Sequence, residues 1–138
     1  VDEAVAAGVD RDAILIDPGP DFTKTPAQTV EVLRHLDVVN PDGLPALLAI
    51  SRKDFIGALT GTRPKERLAG TLAAVAAVGS GTGVVLRVHD VGQIRNFLTV
   101  LDVLRGTDPV DPDLRLADEP RWAAGRPDGT TPIEPSAT

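Results

Sequence analysis

The sequence predicts an α/β fold built from parallel βα units, and three observations carry that expectation. Short aliphatic runs alternate with amphipathic helical stretches, turn residues bound each run, and each run leads into a polar motif: Asp17-Pro18-Gly19, Ser51-Arg52-Lys53 or Arg87-Val88-His89-Asp90. Continuous aliphatic runs of this length suit strands covered on both faces. Parallel neighbours need a long crossover, normally a helix. A doubly wound sheet and a (β/α)8 barrel both satisfy the pattern, and both collect ligand chemistry at the carboxyl ends of their strands.

Taken in order, Asp2 to Gly8 reads as the end of an Ala-rich helix, with Gly8 as its left-handed stop. Ala13-Ile14-Leu15-Ile16 reads as a first strand, buried on both faces and ending at Asp17. Thr25 is a suitable N-cap, Pro26 suits the first helical position, and Gln28 completes a capping box; Val30, Leu33 and Leu36 then follow at helical spacing. Pro41-Asp42-Gly43 makes a turn before a second strand over Pro45 to Ile50. Asp54 to Leu59 reads as a short helix stopped by Gly61, and Pro64 to Val78 as a long Ala-rich one whose Gly70 allows close packing. Gly79 to Gly83 is a glycine-rich turn that precedes a strand rather than following one, the wrong order for a phosphate loop. Val84-Val85-Leu86 is the third strand. A last helix over about Gly92 to Leu104 places Ile94, Phe97, Leu98, Leu101 and Leu104 on one face, and Gly106 stops it. From Thr107 to Thr138 the pattern dissolves into Pro, Asp, Gly and Thr, which predicts a disordered tail; Leu114, Leu116 and Trp122 are its only candidates for docking a partner.

A length of 138 residues with 42% apolar content supports one modest core. The formal net charge of −6 argues against a nucleic-acid binder or an anionic-membrane binder, either of which needs a clustered basic face. Cysteine is absent, which excludes disulfides, thiolate metal sites and cysteine nucleophiles. No apolar stretch is long enough to span a membrane and no secretory signal opens the chain, so a cytoplasmic location is expected. Met is absent and Val1 falls within what reads as a helix, so the chain is expected to be a piece of a longer protein.

Each polar motif has a functional and a plainer interpretation. Asp17 leaves an apolar strand and needs donors: these could be the N–H edge of a heterocycle, or the amides of a neighbouring loop. Ser51-Arg52-Lys53 sets two cations and a hydroxyl at one strand end, fit to meet an anion or a polarised carbonyl; alternatively, one cation neutralises Asp17 or Asp54. Arg87 and His89 alternate in strand phase, so they share a side and make a reasonable pyrophosphate or oxyanion clamp. His35, on the helix after the first strand, reads as a surface residue. No Walker loop, dinucleotide fingerprint or His-Glu-x-x-His occurs.

Together, Ile14-Leu15-Ile16-Asp17-Pro18-Gly19 with Phe22 and Lys24, Ser51-Arg52-Lys53 with Phe55-Ile56-Gly57, and Arg87-Val88-His89-Asp90-Val91 resemble the dihydropteroate synthase family in order and spacing. The resemblance covers about Asp2 to Gly106. It implies that residues 1–106 are the C-terminal part of a pterin-binding barrel, the last three units of a TIM-type (β/α)8 barrel. The implied reaction joins hydroxymethyl-dihydropterin pyrophosphate to para-aminobenzoate, with Mg2+ assisting departure of pyrophosphate in folate biosynthesis. By the same resemblance Asp17, Lys53 and Arg87 would bind the pterin, and Arg87 and His89 the pyrophosphate. Phe22, Ser51 and Asp54 would line the aminobenzoate side, and Lys53, Arg87 and His89 would carry the chemistry. The Mg2+ ligand would come from outside this chain, and family members are often homodimers.

Two positions depart from the family pattern: Asp21 stands where Gly is usual before the Phe, and Asp54 where Ser often follows Ser-Arg-Lys. Carboxylates there would disfavour a substrate carboxylate, and Asp54 could instead cap its own helix. The alternative expectation is therefore a non-catalytic pterin-binding or partner-binding paralogue with an altered aminobenzoate site. A corrinoid-linked methyltransferase domain shares the barrel and accounts for Asp17, but has no use for the Arg87 and His89 clamp.

Overall fold

In the computed structural model, residues 1–78 and 83–117 are described. The chain divides into Val1–Thr107 and Asp108–Thr138. In the first unit the elements are α1 (Asp2–Ala6), a 3-10 turn (Arg11–Ala13), α2 (Pro26–Arg34), α3 (Leu36–Val39), β1 (Ala46–Leu48) and α4 (Asp54–Thr60). A second 3-10 turn (Pro64–Glu66), α5 (Leu68–Val78), β2 (Val84–Leu86) and α6 (Val91–Arg105) complete it.

Strands β1 and β2 pair in parallel with Ala46 opposite Val84 and Leu48 opposite Leu86, and Ile16 bridges to the other side of Ala46 in the same sense. The expected order of three parallel segments is thus present, but the first is a single bridging residue rather than a strand over Ala13 to Ile16. The reasons are local. The Asp10 carboxylate accepts from the Asp12 amide at 3.0 Å and draws Arg11–Ala13 into a 3-10 turn, while Pro18, one residue beyond Asp17, has no N–H to extend the ladder.

Helices cover one face of this sheet. Leu48 and Ile50 are fully buried there with Leu33, Phe55, Ile56 and Val75; Ala46, Val84, Leu86, Phe97 and Leu98 pack around them. The expectation of strands buried on both faces fails at Leu15 and Val85, which are 45% and 47% exposed. Alternation along a strand points them away from the helical layer, and no described residue of this unit covers that side.

The local signals place most of the helices. Thr25 and Gln28 form the capping box at the start of α2, with Gln28 Oε1 accepting from the Thr25 amide at 2.8 Å. Gly61 and Gly106 end α4 and α6 in left-handed conformations, at φ +69° and +76°. The long helix expected from Pro64 is instead a 3-10 turn followed by α5. Gly70 faces Ile56 so closely that a Cβ there would collide with it, and this lets α5 approach α4.

In the second unit, 108–117 is described: Asp111 caps a turn through the Asp113 amide at 2.8 Å, and Leu114 and Leu116 are exposed. Of the tail expected over 107–138, the part beyond residue 117, Trp122 included, lies outside the described residues, as does 79–82 of the glycine-rich turn. Among the described residues no helix is long and apolar enough to cross a membrane.

Candidate functional site

At the carboxyl ends of β1 and β2 the chain opens into a cleft of about 520 Å3 lined by Asp21, Ala49, Ser51, Arg52, Lys53, Asp54, Arg87, Val88 and His89. Of the residues expected to serve a site, it brings together Ser51, Lys53, Asp54, Arg87 and His89. Phe22 joins at the rim, where the Lys53 ammonium lies 4.7 Å from its ring centre. Asp17 does not line the cleft. Its carboxylate is exposed, and one oxygen accepts from the Gly19 amide at 2.8 Å, so in this structure the carboxylate serves its own loop.

The two strand ends are tied by side chains. Ser51 Oγ accepts from the His89 amide at 3.2 Å and lies 3.1 Å from His89 Nδ1. The Arg52 guanidinium makes a two-pronged contact with Asp90, Nε to Oδ2 at 3.0 Å and Nη2 to Oδ1 at 2.5 Å. The hydrogen bond to Asp90, aided by its charge, raises the Arg52 pKa above its ordinary value, against the opposing pull of burial. Arg52 thus pairs with neither Asp17 nor Asp54, the partners the sequence offered for a neutralised cation.

Asp54 also departs from expectation. Its side chain does not cap α4 but accepts from Arg67 Nη1 at 2.8 Å. Asp21 takes the role instead: its Oδ2 accepts from the Phe55 amide at 3.2 Å, in the first turn of α4. Its Oδ1 accepts from the hydroxyl of fully buried Thr29 at 2.9 Å. Asp21, Thr23 and Arg52 all have positive φ, +64°, +52° and +58°. Strained non-glycine backbone of this kind persists only where neighbours hold it, and it concentrates at functional sites.

These ties divide the charges. Arg52 is spent on Asp90 and Asp54 on Arg67. Arg87 is exposed at the mouth of the cleft and makes no ion pair or hydrogen bond through its side chain among the described residues. Among the described residues the Lys53 ammonium makes no ion pair or hydrogen bond and lies over the Phe22 ring. Two uncommitted cations and an imidazole therefore face one cleft, an arrangement suited to a phosphate-bearing anion. No three His, Asp or Glu side chains converge as a metal site among the described residues. Asp21, Asp54 and Asp90 are each occupied by other donors, so they do not fit Mg2+.

Comparison with known proteins bears on the family and the fold. The model of a family described as pterin binding enzyme matches residues 1–89. The chain belongs to that family. It is 42% identical over 108 residues to "Inactive dihydropteroate synthase 2" of Mycobacterium leprae, covering 78% of this chain and 37% of the relative. It is also 42% identical over 102 residues to the dihydropteroate synthase of Bacillus subtilis, covering 73% and 35%. Among solved structures, the dihydropteroate synthase of Xanthomonas albilineans, in complex with indole-2-carboxylic acid and 6-chloroguanine, superposes with a TM-score of 0.70. That match has 40% identity over 77% of this chain and 40% of the other. The chain thus spans little more than a third of the length of these curated relatives. The resemblance to dihydropteroate synthases and the α/β fold with parallel strands are established for this pterin-binding family member.

Sequence reasoning missed Arg67, Asp90 as the partner of Arg52, and the Thr29 and Thr71 hydroxyls. For Arg67 a signal was present: it is the last charged residue before the apolar, Ala-rich run from Leu68 to Val78, ten residues after Gly57.

Proposed function

We propose that this chain forms the pyrophosphate-binding face of a dihydropteroate synthase-type site, contributed by the last three units of a (β/α)8 barrel over residues 1–106. Residues 107–138 would then follow these units in sequence as a tail. The observation that carries the reading is the pair of uncommitted cations, Lys53 and Arg87, beside His89 at adjacent strand ends. In the proposed reaction the C–O bond from the pterin methylene to pyrophosphate breaks, the arylamine nitrogen of para-aminobenzoate bonds to that carbon, and the nitrogen loses a proton. Arg87 and His89 would take up charge on the departing pyrophosphate and Lys53 would hold the pterin carbonyl side, a purely electrostatic contribution. Asp17 would turn from its own loop to the pterin amino edge, and Phe22, Ser51 and Asp54 would border the acceptor.

Mg2+ belongs to the same proposal only as a companion of the pyrophosphate, held by ligands from outside these units. The acids of this cleft do not fit it, and no step here depends on it. A homodimer and a cytoplasmic location are part of the same reading.

A second reading is favoured by Asp21. Its carboxylate already occupies the Phe55 amide, and its charge stands on the side of the cleft where an anionic acceptor would sit. A paralogue that binds pterin pyrophosphate without making product fits this, and one relative is itself named inactive. The deciding experiment titrates the gene product carrying this chain with hydroxymethyl-dihydropterin pyrophosphate and para-aminobenzoate. Calorimetry follows binding, and chromatography follows dihydropteroate. Product sinks the second reading, binding without product sinks the first, and no binding of the pterin pyrophosphate sinks both.

A further inference from the structure

Arg67 sits where the Pro64–Glu66 turn enters α5, and its side chain is only 10% exposed. A buried guanidinium is costly unless it is hydrogen-bonded, and this one is, through Nε and Nη1. Nε donates to the Thr62 carbonyl at 3.0 Å; Nη1 donates to the carbonyls of Arg52 and Lys53 at 2.9 and 3.2 Å and to Asp54 Oδ1 at 2.8 Å. The guanidinium lies flat against Gly57, where any Cβ would collide with it.

The same helix closes the other side of the turn. The Arg52 amide donates to Thr71 Oγ1 at 3.0 Å, and the Thr71 hydroxyl donates to the Arg67 carbonyl at 2.8 Å. Both backbone polar groups of Arg52, the left-handed residue of the turn, are thus held from the start of α5, and so is the carbonyl of Lys53. These bonds go to the backbone that aims Lys53 rather than to the cleft itself.

We propose that Arg67, seated on Gly57, is a positioning residue of this site: it fixes the strained turn at Arg52 and so directs the Lys53 ammonium into the cleft and over Phe22. The functional side of this inference rests on the reading of the cleft as a pyrophosphate site, whereas its structural side does not. Lys could not substitute, because a single ammonium lacks the planar fork that spans two carbonyls, a carboxylate and Thr62.

The test uses this chain with Arg67→Met, Arg67→Lys and Gly57→Ala variants. Gly57→Ala keeps every charge and places a better helix former in α4, yet displaces the guanidinium. In the parent, the Lys53 side-chain protons should show an upfield ring-current shift in NMR that a Phe22→Leu control removes. The shift is expected to be lost in Arg67→Met and Gly57→Ala and not restored by Arg67→Lys, while Leu48, Ile50 and Val75 methyl shifts stay in place. Inorganic pyrophosphate, the probe ligand, is expected to bind on the order of tenfold more weakly to the same variants, the scale at which loss of a supporting group is usually felt. An unchanged Lys53 shift in folded Gly57→Ala overturns the proposal, and this variant decides the matter if Arg67→Met does not fold. If the parent fails to bind pyrophosphate but the Lys53 shift still depends on Arg67, the positioning role stands and the functional reading falls.

Discussion

Replacing Asp90 by Asn removes the charge from the contact that joins the two strand ends while keeping the side chain's size. In the parent, Arg52 reaches Asp90 through two hydrogen bonds, with side chains 28% and 13% exposed. A charge-assisted bond contributes about 1.5–3 kcal/mol when buried, and an exposed ion pair about 0–1 kcal/mol. Because both groups retain some solvent, screening places this contact between those limits. Asn also keeps one acceptor, so the expected loss is about 1–2 kcal/mol. With a urea dependence of about 1 kcal/mol per molar, typical of the smaller domains, the midpoint should fall by about 1–2 M. A double-mutant cycle with Arg52→Met assigns the loss to the pair, with an expected coupling of about 1 kcal/mol or more. A loss below about 0.5 kcal/mol, or full additivity of the two substitutions, would refute the view that this pair ties the strand ends.

Two further outcomes follow from the same geometry. Arg87→Ala removes an exposed side chain with no partner among the described residues, so thermal stability should move by no more than about 0.5 kcal/mol. Affinity for a pyrophosphate-bearing ligand should drop at least about tenfold in calorimetry; equal affinity would remove Arg87 from the site. Gly70→Ala should destabilise by about 1–2 kcal/mol in a thermal melt, because the collision with Ile56 outweighs a helix-propensity gain of up to about 1 kcal/mol. A gain in stability would show that α5 can shift away from α4.

What the sequence made legible was whatever is encoded locally. The capping box at Thr25, the glycine stops at Gly61 and Gly106, the apolar runs over 46–48 and 84–86 and the inward face of α6 at Ile94, Phe97 and Leu98 all follow from short-range pattern, although Leu104, expected on that face, is exposed. The edge segment at Ile16 was overstated, because periodicity cannot weigh an Asx-capped turn on one side against a proline on the other. The members of the polar motifs were visible, but not their partners. Arg52 and Asp90 are 38 residues apart, as are Ser51 and His89, and Asp21 and Phe55 are 34 apart. Such pairings are set by which strand ends become neighbours, and no spacing rule reports that. For the same reason the sequence could offer that one cation of Ser51-Arg52-Lys53 is neutralised but not which one or by what: the fold spends Arg52 on Asp90.

That division of labour explains how so short a sheet can carry an ordered site. Each strand has three residues, so the ladder supplies few backbone bonds, and the polar end must be ordered by side chains. Arg52 and Ser51 bind it laterally to the next strand end; Arg67 and Thr71 bind it from behind; Asp21 binds the loop after Asp17 to the start of α4, and Thr29 binds that loop to α2. Each tie consumes a charge or a donor that might otherwise meet a ligand, and Lys53 and Arg87 are the cations left over. Their freedom therefore depends on the others being occupied: release Asp90, and Arg52 becomes a third loose cation on a loosened turn. On this account a perturbation at any tie should alter ligand affinity through geometry before charge, so Asp90→Asn should not improve pyrophosphate binding, although it adds a net positive charge to the cleft. Tighter binding by that variant would mean that charge alone governs the site and that the ties serve stability only.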